Sequence, residues 1–421
     1  MPEHDDFLDD FTAWSRFGAT AGGGLHRLAA SEEHATARRW LTDWLTARGF
    51  TVRIDAVGNL FGLLEWVPGA PYVLVGSHSD SQPSAGRFDG AYGVLAAAHA
   101  ATGVDGAVAA GQFAPVVNVA VVDWFNEEGA RFQPSLMGSG GYVGRYTVDQ
   151  ILERRDLDGV SVREALTNIG FHGSDEPPDA VAYAEVHIEQ GRELEKTGTD
   201  IGVVTANWAV RKYTVVVHGE QAHTGATSMA DRRDALVGAA RVVLAVRAVA
   251  SGHVPDAVLS SVGRFVIEPN SPVVVPSRVR IDVDIRSSDA GTLEKAHAEF
   301  VQALAAITDE GEVTVEIVAC ALRPSTPYPA AGVELTEAVV AEAGYTSRRM
   351  LTRAGHDSIS LKDVVPTVML FVPSSNGISH NESEFTEDAD LLRGLDVLSA
   401  VVRNLTAGAL LSDEAREVAA R

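Results

Sequence analysis

Apolar residues recur along this chain in two rhythms. Residues 8–48 carry them at helical spacing, with Arg, Glu and His between, and so predict helix. Residues 50–64 alternate as a strand pair around a Gly58-Asn59 turn. Three continuous apolar runs follow, 72–75 (YVLV), 116–125 (VVNVAVVDWF) and 181–188 (VAYAEVHI), each of a length that suits a buried strand. Each leads into polar residues. The first opens onto GSHSDSQPSAGRFDGAYG (76–93), with a helix beginning near Gly90. The second ends in Asn126-Glu127-Glu128-Gly129 and a Gly/Ser-rich loop over 134–144, and the third in His187-Ile188-Glu189-Gln190-Gly191. Between the last two, residues 147–170 predict one or two helices, and Pro177-Pro178 a loop.

The pattern changes near Arg211. Strands at 213–217, 257–267, 279–285 and 313–319 enclose helices at 229–250 and 290–307. The order β-α-β-β-α-β is the ferredoxin-like unit, with amphipathic helices able to close a core of their own. From about 330 the first style returns. A strand at 366–372 (PTVMLFV) runs into Ser374-Ser375-Asn376-Gly377-Ile378-Ser379-His380-Asn381, and a helix over about 387–410 closes the chain. The expected fold is therefore α/β with two domains. A mixed-sheet domain (1–210 and 331–421) is interrupted by an inserted ferredoxin-like domain (211–330). No repeat or low-complexity segment is present.

Composition narrows the function classes. At 421 residues the chain has room for more than one core, and 46% hydrophobic with 22% charged residues describes a globular protein. A formal charge of −23 argues against nucleic acid as a partner, because phosphate contacts need a basic face. A small anionic substrate needs only one local Arg and is not excluded. The single cysteine, Cys320, leaves no internal disulfide and suits a reducing compartment. The opening MPEHDDFLDD is acidic and lacks the apolar core of a signal peptide, and the most apolar helical run, 236–250, is interrupted by Arg241 and Arg247. These features lead to the expectation of a cytoplasmic protein with no membrane association.

Five residues stand at or just after ends of apolar strands: His78, Asp89, Glu128, His187 and His380. That is where open α/β sheets build their sites. Imidazole nitrogen mixed with carboxylate oxygen suits zinc and its neighbours. Two ions about 3.5–4 Å apart need a bridging ligand and terminal ligands on each. Asp89 as the bridge, with His78 and His187 on one ion and Glu128 and His380 on the other, fills that scheme. Glu127, beside a ligand, is then the candidate general base, and Asp80 can orient the His78 imidazole. Taken alone, 76–93 reads equally well as a polar loop whose Asp caps the next helix, and any one of thirteen histidines is more often structural. The recurrence of such residues after strand ends favours the metal reading.

Five segments carry a resemblance: GSHSDSQPSAGRFDGAYGV, NEEGARFQPSLMGS, HIEQGRELEKTGTDIGVVT, AHTGATSMADRRDAL and GISHNESEF. Over roughly residues 10–410 the chain resembles the metal-dependent N-carbamoyl-L-amino-acid hydrolases. Their family also holds allantoate amidohydrolases and β-ureidopropionases, within the aminoacylase/carboxypeptidase-like metallopeptidase clan. The resemblance implies two divalent metal ions, usually Zn²⁺ and in some members Mn²⁺, Co²⁺ or Ni²⁺. It implies that the inserted domain is a lid that also forms a homodimer, and that a linear C–N bond of a small molecule is hydrolysed. It carries the five ligands over to His78, Asp89, Glu128, His187 and His380, and the base to Glu127. His223 (in AHTG) corresponds to the lid histidine that stabilises the oxyanion, often across the dimer. Arg286 (in DIR) corresponds to the arginine that forks onto the substrate carboxylate, and Gln190 to a contact with the amide or ureido group.

One departure concerns substrate. The family pattern is Pro-Asn, two variable residues, then Asn, whereas this chain reads Pro269-Asn270-Ser271-Pro272-Val273. Asn270 is kept as a candidate substrate contact, but Val273 cannot replace the second Asn, a loss of about 1–3 kcal/mol for a polar partner. Asn207-Trp208-Ala209 likewise replaces a smaller, Gly-containing segment, so Trp208 is expected to border a narrower or more aromatic pocket. The leading expectation is hydrolysis of an N-carbamoyl-L-amino acid to amino acid, CO₂ and ammonia. The alternative is an amidase acting on an N-acyl amino acid, an allantoate-like ureide or a secondary-metabolite intermediate. Ser81-Gln82-Pro83 resembles the carbamoylase and ureidopropionase members more than the allantoate ones. A metal-stabilised binding protein without turnover is the reading from outside catalysis; loss of Glu127 or of a ligand would have favoured it, and none is lost.

Overall fold

The computed structural model describes residues 4–411. Positions 1–3, part of the acidic opening, and 412–421, the end of the expected mixed-sheet domain, lie outside them. The chain forms two compact units. One runs up to Thr205 and resumes at Tyr328, and the other is Ala206–Pro327.

In chain order the strands begin with β1 (Thr51–Ile54), β2 (Leu60–Leu64), β3 (Tyr72–His78), β4 (Asn118–Trp124), β5 (Ala180–Ile188) and β6 (Ile201–Asn207). Next come β7 (Ala209–His218), β8 (Ala222–His223), β9 (Leu259–Glu268), β10 (Val274–Val275), β11 (Arg278–Ser287) and β12 (Thr314–Arg323). The last two are β13 (Ser347–Thr352) and β14 (Thr367–Val372).

The first unit is built on an eight-stranded sheet in the order β1-β2-β4-β3-β5-β14-β6-β13. The four neighbours β4, β3, β5 and β14 are parallel, so their carboxyl ends lie along one edge. β2 and β6 flank them antiparallel, which makes the sheet mixed. Period-two alternation explains why β4 reads as continuously apolar. Val119 and Val121 enter the core on one face, while Ala120, Val122 and Trp124 enter a second cluster on the other. Helices Ala91–Ala109 and Asp388–Thr406 supply much of the larger core.

Local chemistry accounts for the departures from the expected elements. The helix expected over 8–48 is two helices, His4–Trp14 and Glu32–Ala47. Gly18 and Gly23 take positive φ between them, and Ser31 caps the second by accepting from the His34 amide. The 134–144 loop contains a short helix, Met137–Tyr142. The helix expected from 229 begins at Ala235, because Asp234 accepts the amides of Leu236 and Val237 as its N-cap; Met229–Asp231 is a separate 3₁₀ turn. Strands β6 and β13 and helix Ala330–Glu342 have no counterpart among the elements expected from the sequence pattern.

The second unit carries a four-stranded sheet in the order β12-β7-β11-β9, antiparallel throughout, with helices Ala235–Ser251 and Ala290–Asp309 in the β-α-β-β-α-β sequence. On β11, Val279, Ile281, Val283 and Ile285 enter its core. Among the described residues, no helix is long and apolar enough to cross a membrane.

Candidate metal centre

The four parallel strands deliver the candidate ligands from one sheet edge. His78 is the last residue of β3 and His187 the penultimate residue of β5. Glu127 and Glu128 follow β4 through Asn126, which holds a left-handed φ of 53°. His380 lies in the loop after β14, also at positive φ (53°). Asp89 precedes helix Ala91–Ala109. Gly90, at φ 67°, is that helix's N-cap, with no side-chain cap. Asp89 therefore does not cap the helix, and its carboxylate faces the imidazoles.

Two trios form around it. Asp89 Oδ1 lies 3.5 Å from His78 Nε2 and 3.1 Å from His187 Nε2. Asp89 Oδ2 lies 3.3 Å from His380 Nε2, which is 3.5 Å from Glu128 Oε2. In each of the sets His78/Asp89/His187 and Asp89/Glu128/His380, one candidate ligand atom per residue lies within 4.8 Å of the others. Glu127 Oε2 stands 3.6 Å from His78 Nε2.

Hydrogen bonds aim these groups. The Nδ1 atoms of His78 and His187 lie 2.9 Å from the carbonyls of Asp80 and Ile188, which fixes the Nδ1–H tautomer and turns the Nε2 lone pair inward. His187 Nε2 accepts the Gly90 amide at 3.0 Å, a bond which that tautomer allows and which a cation on the same lone pair would replace. Gly90 is obligatory beside His78, because a Cβ there would fall 2.3–2.5 Å from the imidazole ring atoms.

The charges are those of a cation site. Burial opposes the charged form of His78, yet Glu127, Asp89 and Asp80 raise its pKa well above the ordinary imidazole range. Burial is likewise outweighed at His380, raised to about 10 by Glu128 and Asp89. The surrounding imidazoles hold Asp89 well below the carboxylate range despite its burial. Burial lifts Glu127 well above that range, with Asp357, Glu128 and Asp80 adding and His78 opposing. Four clustered carboxylates thus draw protons that a divalent cation could replace. Preset Nε2 lone pairs, carboxylates of both trios and a shared Asp89 fit divalent metals of the zinc type.

Asp80 and Gln190 make further contacts within the site. His78 Nδ1 makes its hydrogen bond to the Asp80 backbone carbonyl at 2.9 Å, while the Asp80 carboxylate stands 3.7 Å away as an ion-pair partner. Its side-chain oxygens accept the amides of Glu127 (3.2 Å) and Glu128 (3.4 Å), so it shapes the turn that presents both. Burial raises Asp80 to about 7, with Glu128 and Asp123 adding. Gln190 spends its Nε2 on Asp89 Oδ2 (2.7 Å) and Ser379 Oγ (3.2 Å). Its Oε1 is buried with no protein partner, an acceptor left over beside the site.

The other candidates belong to the second unit. His223 Nδ1 accepts the amides of Gly225 (3.0 Å) and Ala226 (3.1 Å), which leaves Nε2–H as a donor. Arg286 Nε and Nη2 fork onto Asp284 at 2.7 Å each. Asn270 is exposed at φ 55°, Trp208 is buried and Val273 is 60% exposed.

Sequence reasoning assigned no role to several residues the structure gathers here. Gln82 holds the Glu128 carboxylate, and Glu384 and Ser379 surround Asp89. Asp357 is fully buried, and burial with Glu185 nearby raises its pKa well above the carboxylate range. Glu384 and Ser379 lie within the GISHNESEF motif, and Gln82 within the stretch that opens at Gly76, so their motifs were visible though their partners were not.

Residues 74–404 match the model of peptidase family M20/M25/M40. The chain belongs to that family. An allantoate amidohydrolase from Bacillus subtilis is 33% identical over 406 residues, covering 94% of this chain and 97% of that protein. An N-carbamoyl-L-amino-acid amidohydrolase from Rhizobium meliloti is 33% identical over 397 residues, covering 94% of each. The crystal structure of an amidase of the hydantoinase/carbamoylase family from Burkholderia vietnamiensis superposes with a TM-score of 0.90 at 36% identity, covering 96% of this chain and 98% of that one. Within the M20 family this chain is an amidohydrolase, a hydrolase of carbon–nitrogen bonds other than peptide bonds.

Proposed function

We propose that the protein hydrolyses a linear C–N bond in an N-carbamoyl-L-amino acid, releasing amino acid, CO₂ and ammonia, with two divalent cations, Zn²⁺ first among them. The observation that carries the reading is the division of Asp89, Oδ1 toward His78 and His187 and Oδ2 toward His380 and Glu128. His78, Asp89 and His187 would hold one ion, and Asp89, Glu128 and His380 the other. Bound there, the ions supply Lewis acidity and make water a nucleophile near neutral pH. Glu127 takes the proton of the attacking water and returns it to the leaving nitrogen, and burial raises its pKa in the direction a general base needs. The orphan Oε1 of Gln190 suits an N–H of a ureido or amide group. His223 is assigned, by its motif, as Nε2–H donor to the developing oxyanion, and Arg286, Asn270 and Trp208 to the rest of the substrate. The second unit is assigned as lid and dimerisation domain, and the compartment as the cytoplasm.

A second reading is an amide or ureide with a less polar end. It draws support from Val273, an exposed alkyl group, and from the Arg286 edge already paired with Asp284. Turnover by metal-reconstituted protein decides between them. The panel is N-carbamoyl-L-amino acids, N-carbamoyl-β-alanine, allantoate, N-acyl amino acids and the matching carboxamides. Fastest ammonia release from an N-carbamoyl-L-amino acid is expected. Activity confined to the other compounds would overturn the substrate and leave the metal chemistry standing.

A further inference from the structure

Glu384 lies four residues beyond His380 in the same loop and is 4% exposed. Its Oε1 accepts the amides of Phe88 and Asp89, both at 3.1 Å. Its Oε2 accepts the Ser379 hydroxyl at 2.8 Å, and that hydroxyl is 3.1 Å from Asp89 Oδ2. One carboxylate from the His380 loop thus grips the main chain of Asp89 and, through Ser379, reaches its side chain. It fills a notch open only because residue 86 is glycine. A Cβ at Gly86 would fall 2.0 Å from Oε1 and 2.2 Å from Cδ.

His380 needs such an anchor. Its side chain is 49% exposed, it stands in no strand, and its backbone holds a φ of 53°, which a non-glycine residue adopts only when neighbouring structure imposes it. His78 and His187, by contrast, are buried on strands with Nδ1 pinned to a carbonyl.

We propose that Glu384 is a positioning residue that fixes His380 against Asp89 and so sets the affinity of the Asp89/Glu128/His380 half of the site for a divalent cation. The inference rests on the two-cation reading above. Partners of this kind are worth roughly 10–100-fold in metal affinity.

Calorimetric titration of Zn²⁺ into the full-length, chelator-stripped protein tests it, with bound metal counted after gel filtration. Wild type must bind two ions; fewer would overturn the two-cation reading itself. With two bound, Glu384→Ala is expected to keep the tighter event and weaken the other roughly 10–100-fold. Glu384→Gln should restore near-wild-type binding, because its carbonyl can accept both amides and its NH₂ can donate to Ser379. Wild-type affinity at both sites in Glu384→Ala, or equal loss in the Ala and Gln variants, would overturn the assignment. If Glu384→Ala does not fold, Gly86→Ala decides. Its methyl displaces the carboxylate from the notch and is expected to weaken the same event, and undiminished binding there would overturn the proposal.

Discussion

Gln82 holds both oxygens of Glu128: its side-chain amide donates to Oε2 at 2.9 Å and its backbone N–H to Oε1 at 3.2 Å. A candidate ligand that follows a turn at positive φ is thereby aimed by one residue of the facing loop. Gln82→Ala removes the side-chain half and leaves the backbone donor. Affinity at the Glu128/His380 half should fall about tenfold, with stability changed by about 1 kcal/mol or less. Zn²⁺ titration and urea unfolding measure the two effects separately. Unchanged affinity would mean that the backbone N–H suffices.

Glu127 is isosteric with Gln but only Glu can take a proton. Its backbone is fixed through Asp80 at 3.2 Å, so Glu127→Gln should fold and keep its metal. The kcat should drop roughly 10²–10⁴-fold with little change in KM. Steady-state rates beside metal analysis check this, and a variant that keeps its metal and more than a tenth of the wild-type kcat would remove Glu127 from the chemistry.

The sheet edge that carries the centre was legible because each ligand-bearing polar segment follows a buried strand, and the apolar runs before His78, Glu128 and His380 and around His187 mark those strands by themselves. Hydrogen bonds that cross the chain were not legible. Glu384 reaches the Asp89 amide across 295 positions, and nothing in local periodicity pairs them. Asp80 was readable as a partner of His78, but the Glu127 and Glu128 amides that its carboxylate also accepts lie 47 and 48 positions away, and nothing local pairs them. The same limit hid the break in the helix expected over 8–48, where helical spacing of apolar residues persists through a loop that glycines and the Ser31 cap define.

Gly90→Ala should damage the other half of the site. The new Cβ would lie within 2.5 Å of the His78 ring at a φ of 67°. Displacing His78 should weaken cation binding by the His78/His187 half and cost about 1–3 kcal/mol of stability. Gly111→Ala is the control: its φ is 69° but nothing lies within 4 Å, so it reports backbone strain without the clash. Equal behaviour of the two variants in Zn²⁺ titration would show that the imidazole yields to the methyl.

His99 gives the fold an acid-sensitive contact away from the metal centre. Its Nε2 lies 3.1 Å from Asp10 Oδ2, and its ring packs edge-on to Phe7 at 5.4 Å and against Trp44 at 4.9 Å. Burial lowers its pKa from 6.5 to about 4, against the pull of Asp10. The folded value lies below the unfolded one, so between those limits the unfolded chain binds the proton more readily. The stability contributed by neutral His99 is therefore complete above about pH 6.5 and is lost as pH falls toward 4. At about 1.4 kcal/mol per pKa unit this amounts to something on the order of 3 kcal/mol. His99→Gln keeps a donor for Asp10 but does not titrate. Urea unfolding of chelator-stripped wild type and variant at intervals from pH 4.5 to 7.5 should show the wild-type advantage shrinking as pH falls, whereas a pH-independent difference would mean that His99 does not change protonation on unfolding.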